Sequence, residues 1–151
     1  METLRYKIEI AAPAKKVWET MLQQETYRQW VGKSWPGSTY QGKWEKGEHI
    51  KFVSAEGEGT LAEMVEVKPY AKVLARHIAL LAKGGKEDRT SDFAKGWVGT
   101  TEGYEFNERN GNTTLSVTIE TSAEWRDMFD EGWPAALEEL KKITEGAFAA
   151  V

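Results

Sequence analysis

Residues 121–146 read TSAEWRDMFDEGWPAALEELKKITEG, and this stretch decides the fold. Phe129, Trp133, Ala136, Leu137, Leu140 and Ile143 recur at steps of three and four, which places them on one face of an α-helix. Asp130, Glu131, Glu138, Glu139, Lys141 and Lys142 occupy the other face; their spacing gives weak ion pairs along a solvated surface. Thr121-Ser122-Ala123-Glu124 matches a capping box and is expected to open the helix. Pro134 lacks the amide that would bond the fourth residue back, so a kink, or a short leading helix before the main one, is expected there. A frayed tail is expected from Ala147 to Val151.

Upstream of this helix the chain reads mainly as strands. Leu4, Tyr6, Ile8 and Ile10 alternate with Arg5, Lys7 and Glu9, the pattern of a half-buried strand. Pro13 then suits the first turn of a helix buried through Val17, Trp18, Met21 and Leu22. A second short helix, about Glu25 to Val31, offers Tyr27 and Trp30, with Gly32 as a left-handed cap. Strands follow at Tyr40–Trp44, His49–Val53, Thr60–Val67 and Lys72–Ile78, punctuated by Gly37, Gly47, Gly57 and Pro69. Leu80 to Gly96 is polar and lacks alternation, so it reads as a long loop able to act as a lid, with one helical turn starting at Ser91-Asp92. Trp97–Asn107 and Leu115–Ile119 are the last strands, joined by a tight turn at Asn110-Gly111. The connections are too short for parallel crossovers, so the sheet is antiparallel. The expected class is α+β, a curved sheet of six or seven strands gripping the C-terminal helix, as a single domain over residues 1–151.

Composition narrows the function. The net charge is −4 and the basic residues are scattered, which leaves no electrostatic footprint for nucleic acid. No apolar run approaches the roughly 18 residues of a membrane span, and the N-terminus lacks the apolar core of a signal peptide. The absence of cysteine excludes disulfides and thiolate chemistry and suits a cytoplasmic protein. There is no phosphate-binding loop or dinucleotide fingerprint, and the two histidines, His49 and His77, lie on different strands without a carboxylate cluster. No cofactor and no metal are called for.

The order strand, two short helices, six strands and long helix resembles the helix-grip order of the START-like (SRPBCC) superfamily. Ile10-Ala11-Ala12-Pro13-Ala14-Lys15-Lys16-Val17-Trp18 is similar to the opening of proteins related to the activator of Hsp90 ATPase. Trp30, Gly42-Lys43-Trp44-Glu45-Lys46-Gly47, and Gly132-Trp133 with Leu137 and Leu140-Lys141 resemble three further phrases of that family, between about residues 8 and 145. The resemblance implies a cavity under the long helix, used in the wider superfamily for lipids, hormones and polyketides. Other members are cyclases, ring-oxygenase subunits or chaperone co-factors. The eukaryotic activator has a further N-terminal domain that engages the chaperone, and these 151 residues are expected to hold none.

The expectation is therefore a site for a small apolar or amphipathic molecule, without demonstrable catalysis. Trp30, Trp35, Trp44, Trp97 and Trp133 are candidate walls, with Phe52 and Leu137 beside them. Trp18 and Trp133 are expected in the core, and Trp35 and Trp97 at the rim, because they flank irregular segments. Counting back by twos from Phe106 and Tyr104 places Glu102 on the apolar face of its strand. It is then either a ligand-orienting or acid/base group, or, as is commoner, flipped out by a bulge or paired with a base. His77 faces inward if Val73 and Ala75 do; otherwise Arg76 does. The alternatives are a co-chaperone-like interaction module or homodimer, marked by a filled core and an exposed apolar patch, and a cyclase- or hydrolase-type enzyme. The enzyme would need at least two of Glu102, His77 and Tyr104 to converge.

Overall fold

The alternation at the N-terminus becomes strand β1 (Glu2–Ile10), whose inward residues Leu4, Tyr6, Ile8 and Ile10 lie opposite Ile119, Val117, Leu115 and Thr113 of β8 (Asn112–Thr121). The computed structural model describes the backbone of residues 1–149 and the side chains of residues 1–147. β7 (Thr101–Arg109) joins β8 through Asn110 and Gly111, both with positive φ (54° and 80°), the two-residue turn that the right-handed twist of a hairpin favours. The remaining strands are β2 (Thr39–Gln41), β3 (His49–Val53), β4 (Gly59–Lys68), β5 (Lys72–Ala82) and the short β6 (Lys86–Asp88). Every pairing is antiparallel, in the order β1-β8-β7-β5-β4-β3-β2, and β6 pairs with β5 off this path.

Two register shifts between β4 and β5, at Leu61/Ala62 and Met64/Glu66, add local twist and curl the sheet. The entry to β4 is tight: a Cβ on Gly59 would stand 1.8 Å from the Phe52 carbonyl oxygen, so only glycine fits. Inside the curl lies helix α4 (Arg126–Ala149), with Trp133, Ala136, Leu137 and Leu140 buried along one ridge. Burying each of the two leucines stabilises the fold by about 1.5–3 kcal/mol. Helices α1 (Ala14–Leu22) and α2 (Gln24–Gly32) close one end of the core. Trp30 Nε1 donates to the Met21 carbonyl at 3.0 Å, and the Tyr40 hydroxyl donates to that of Leu22. These bonds satisfy C-terminal carbonyls of α1 while anchoring α2 and β2 against it. This is the helix-grip arrangement. Among the described residues no helix is long and apolar enough to cross a membrane.

Several local expectations need correction. The strand expected over Tyr40–Trp44 stops at Gln41, because Gly42 turns with φ 129° and a Cβ there would meet the His49 carbonyl oxygen at 2.4 Å. Gly32 is not a left-handed cap; it ends α2 in ordinary helical geometry, and Ser34 and Trp35 amides bond back to Val31. Residues 80–96 are not an open loop. β5 runs on to Ala82, turns at Gly84 and Gly85, and returns as β6, after which Ser91 caps a one-turn helix α3 (Asp92–Lys95) by accepting the Ala94 amide at 3.1 Å. The strand expected over Trp97–Asn107 starts at Thr101 rather than Trp97. The capping box does not form: a 3-10 turn, Ala123–Trp125, precedes α4, and the Thr121 hydroxyl is buried without a partner. α4 then continues through Pro134, so the leading turn, Ala123–Trp125, lies well before the proline rather than at it. The helix persists through Ala149, and the rest of the expected tail, residues 150 and 151, lies outside the described residues.

Candidate functional site

Where the N-terminal half of α4 crosses the sheet, the core is not filled. A cavity of about 280 Å³ lies between α2, β3, β4, β5, β7 and α4. Its size sits near the lower end of ligand pockets, roughly 300–1,000 Å³, which suits a single-ring or short-chain molecule. Trp30 and Tyr27 come from α2, Trp35 from the segment after it, Phe52 from β3, Trp97 from the turn before β7, and Phe129 and Trp133 from α4. The rings are inclined to one another rather than stacked flat: Trp133 lies 5.9 Å from Trp30 at 43° and 5.9 Å from Trp35 at 69°. Such tilted contacts suit aromatic quadrupoles.

Register decides the two polar residues whose direction alternation left open. Glu102 pairs with Ile119 and Ala75, in line with Tyr104 and Phe106, so it faces inward. The expectation that a bulge would turn it out, or a base pair with it, is therefore overturned; the bulges fall between β4 and β5 instead. Its partner is the Tyr104 hydroxyl, which donates to the Glu102 carboxylate. Burial raises the carboxyl above its ordinary range, and the Tyr104 bond only partly offsets this. Tyr104 is pushed well up by its own burial and then by the Glu102 charge, and Tyr27 is likewise raised. His77 also faces inward from β5, is 5% exposed, and its Nδ1 has no partner. Burial lowers its pKa from 6.5 to about 4, so the ring is neutral at physiological pH. Arg76 points outward and pairs with Glu63 at 2.8 Å.

Of the expected wall residues, the cavity gathers Trp30, Trp35, Phe52, His77, Trp97, Glu102, Tyr104 and Trp133. It does not include Trp44 or Leu137. Trp44 packs against the core instead, 5.7 Å from Phe52 and 5.3 Å from Tyr40. Leu137 lies one turn further along α4, where the core is closed. Trp133 is both core and wall: it is 5% exposed yet borders the cavity. Sequence reading missed Tyr27 and Phe129, whose helical spacing does not separate a core position from a cavity wall.

Trp35 and Trp97 also border an outer recess, formed with Phe93, Trp125 and Met128 against β5. They therefore border both spaces, together with Glu58, Gly59 and Thr60. Phe129 packs against both, 6.5 Å from Trp35 and 6.3 Å from Trp97. Gly132 lets the Trp35 indole lie on the helix, since a Cβ there would come within 2.5 Å of Trp35 Cζ2. Ser34 Oγ fixes the same junction by donating to the Gly132 carbonyl at 2.6 Å. Among the described residues no group of three or more His, Cys, Asp or Glu side chains is placed to hold a metal ion.

A family model described as Activator of Hsp90 ATPase homolog 1-like protein matches residues 11–145. No curated protein matches the chain. Among solved structures, protein MLL2253 from Mesorhizobium loti is similar with a TM-score of 0.71 at 16% identity, over 93% of this chain and 95% of that one. The Aha1 dimer from Colwellia psychrerythraea gives 0.69 at 16% identity, over 96% and 97%. Protein Ms6760 from Mycobacterium smegmatis gives 0.68 at 17%, over 96% and 92%. At these identities the likeness is one of fold.

Proposed function

The chain belongs to the activator of Hsp90 ATPase homolog 1-like family, and from that premise we propose that it binds a small apolar or amphipathic molecule between the sheet and α4. The observation that supports this reading is the cavity of about 280 Å³, walled by aromatic rings and carrying an inward carboxyl, phenol and imidazole. A few converging polar groups in an otherwise apolar enclosure orient a ligand, while the rings supply the contact area. Trp35 and Trp97 border both the cavity and the outer recess, so a ligand entering from that side would pass them. The test is a thermal-shift and calorimetric screen of small aromatic, short-chain and amphipathic compounds, with sterols and long-chain fatty acids as oversized controls. Small compounds should raise the melting temperature, and Trp97→Ala should change their association and dissociation rates. No binding by any compound, with the protein folded, would refute the reading.

A catalytic reading is favoured by one observation, the hydrogen bond between Tyr104 and Glu102 inside the same cavity as His77. Two of the three candidate residues therefore meet, the least that such a reading requires. Turnover of a bound ligand, lost in Glu102→Gln and in Tyr104→Phe, would establish it; unchanged ligand after long incubation would exclude it for that compound.

A further inference from the structure

The cavity has a one-sided charge. Glu102 lies inside it and Glu58 at its mouth, and no Lys or Arg lines it. His77, on the neighbouring strand, carries no charge above about pH 4. Tyr27 and Tyr104 stay neutral because burial raises both. Glu102 has no cationic partner among the described residues; it receives only the Tyr104 hydroxyl. A half-buried carboxylate without a basic partner is costly, and an apolar guest would worsen its position by removing water. The rings of Tyr27, Trp30, Trp35 and Trp133, packed edge-on and tilted against one another, line the same cavity as Glu102. Each ring presents a negative face, and a cation within about 6 Å of a ring centroid is attracted to that face.

We propose that the ligand is a small organic cation, a quaternary ammonium or protonated amine bearing an apolar substituent, with Glu102 as counter-ion and the tryptophans as its cage. This rests on the ligand-binding reading of the cavity and names the chemistry of the guest. The ammonium group takes the place beside Glu102 that no protein cation fills. The apolar substituent lies toward Phe52 and Phe129. The cavity volume admits one such group and a single ring, not a phospholipid. Cation binding favours ionised Glu102, so affinity should fall as the pH drops and the carboxyl gains its proton.

The experiment compares two probes of the same shape by calorimetry, (3-hydroxyphenyl)trimethylammonium and 3-tert-butylphenol, at pH 8 and at pH 5. The cation should bind at least tenfold more tightly at pH 8, about 1.4 kcal/mol. Its advantage should shrink at pH 5, and the two probes should converge in affinity in Glu102→Gln. Circular dichroism checks that the variant is folded; should it not fold, the pH profile of the unmodified protein decides. Equal or tighter binding of the neutral probe at pH 8 would overturn the cation proposal while leaving the ligand-binding reading in place. Binding of neither probe would remove the cation proposal, and failure of the wider screen would remove the underlying reading as well.

Discussion

Lowering the pH from 7 to 4 forces a proton onto His77, and the fold should weaken by an amount that the structure sets. The ring is 5% exposed, its Nδ1 has no partner, and its nearest aromatic neighbour is Trp97 at 6.0 Å, edge to face. Burial is the cause that lowers its pKa from 6.5 to about 4. At ~1.36 kcal/mol per pH unit, the folded state binds that proton more weakly by about 3 kcal/mol. Because the folded value is the lower one, the folded state holds fewer protons than the unfolded chain. The contribution is therefore complete above pH 6.5, declines through the window from 6.5 to 4, and is gone below it. Against a total stability of roughly 5–15 kcal/mol, this is a large share. Other groups act around it. Glu145 and Asp88 have lowered carboxyl values from hydrogen bonds and lose stabilisation only in more acidic solution. Glu102, raised by burial, works in the opposite sense, since its ionisation weakens the fold as the pH rises. Urea unfolding of the wild type and His77→Gln at pH 7.5, 6.5, 5.5 and 5.0 isolates the histidine. The wild type should lose stability with a slope approaching one proton, and the variant should lack that component. Parallel slopes for the two proteins, or a folded imidazole that titrates near 6.5 by NMR, would refute the reasoning.

Three further outcomes are expected. Gly132→Ala should destabilise by about 1 kcal/mol: the helix gains ~1 kcal/mol from alanine, but the new Cβ falls 2.5 Å from Trp35 and overpacking costs about 1–3 kcal/mol. Tryptophan fluorescence should shift with it, and a higher melting temperature would show that Trp35 does not lie on the helix. Gly59→Ala should cost more than about 3 kcal/mol or abolish folding, since its Cβ would sit 1.8 Å from a main-chain oxygen that cannot swing away; a near-wild-type urea midpoint would contradict the register of β3 and β4. Glu102→Gln should be more stable than the wild type at pH 7.5 by urea unfolding, with the advantage shrinking as the pH falls, because burial disfavours the charged carboxylate. A variant less stable at pH 7.5 would mean that the charge is needed for folding.

The grip of sheet on helix was readable because its two periodicities are clean. The steps of three and four from Phe129 to Ile143, and the alternations in Leu4–Ile10 and Leu115–Ile119, each have one physical solution. The end of β5 was less readable. Ile78-Ala79-Leu80-Leu81 is apolar on both faces, since Ala79 and Leu81 pack with Leu61 in a small separate cluster flanked by Ile78, so alternation vanishes while the strand continues. β6, at three residues, carries no period at all. Gly84 and Gly85, with φ of 85° and 84°, were the signal for a hairpin there. The direction of Glu102 and of His77 required register, because a one-residue slip reverses every side chain of a strand. Trp44 was misjudged for a related reason: its distance from the cavity depends on where β2 ends, and composition does not fix that.

These two polar residues also locate the border between core and cavity. Along β7 the inward positions run Phe106, Tyr104, Glu102; along β5 they run Val73, Ala75, His77. The strands pair so that Val73 faces Tyr104 and Ala75 faces Glu102, with His77 next along. The inward surface thus changes from apolar to ionisable within one inward position on two adjacent strands. Below that level α4 lays Ala136, Leu137 and Leu140 onto the sheet and nothing remains open. Above it the helix presents Trp133 and then Phe129, and the space between them and the sheet is the cavity. Had Glu102 and His77 been leucines, collapse onto the helix would have filled that space and gained several kcal/mol from burial. Keeping an inward carboxyl and an unpartnered imidazole there costs stability, and that cost is what supports the proposal of a guest over imperfect packing.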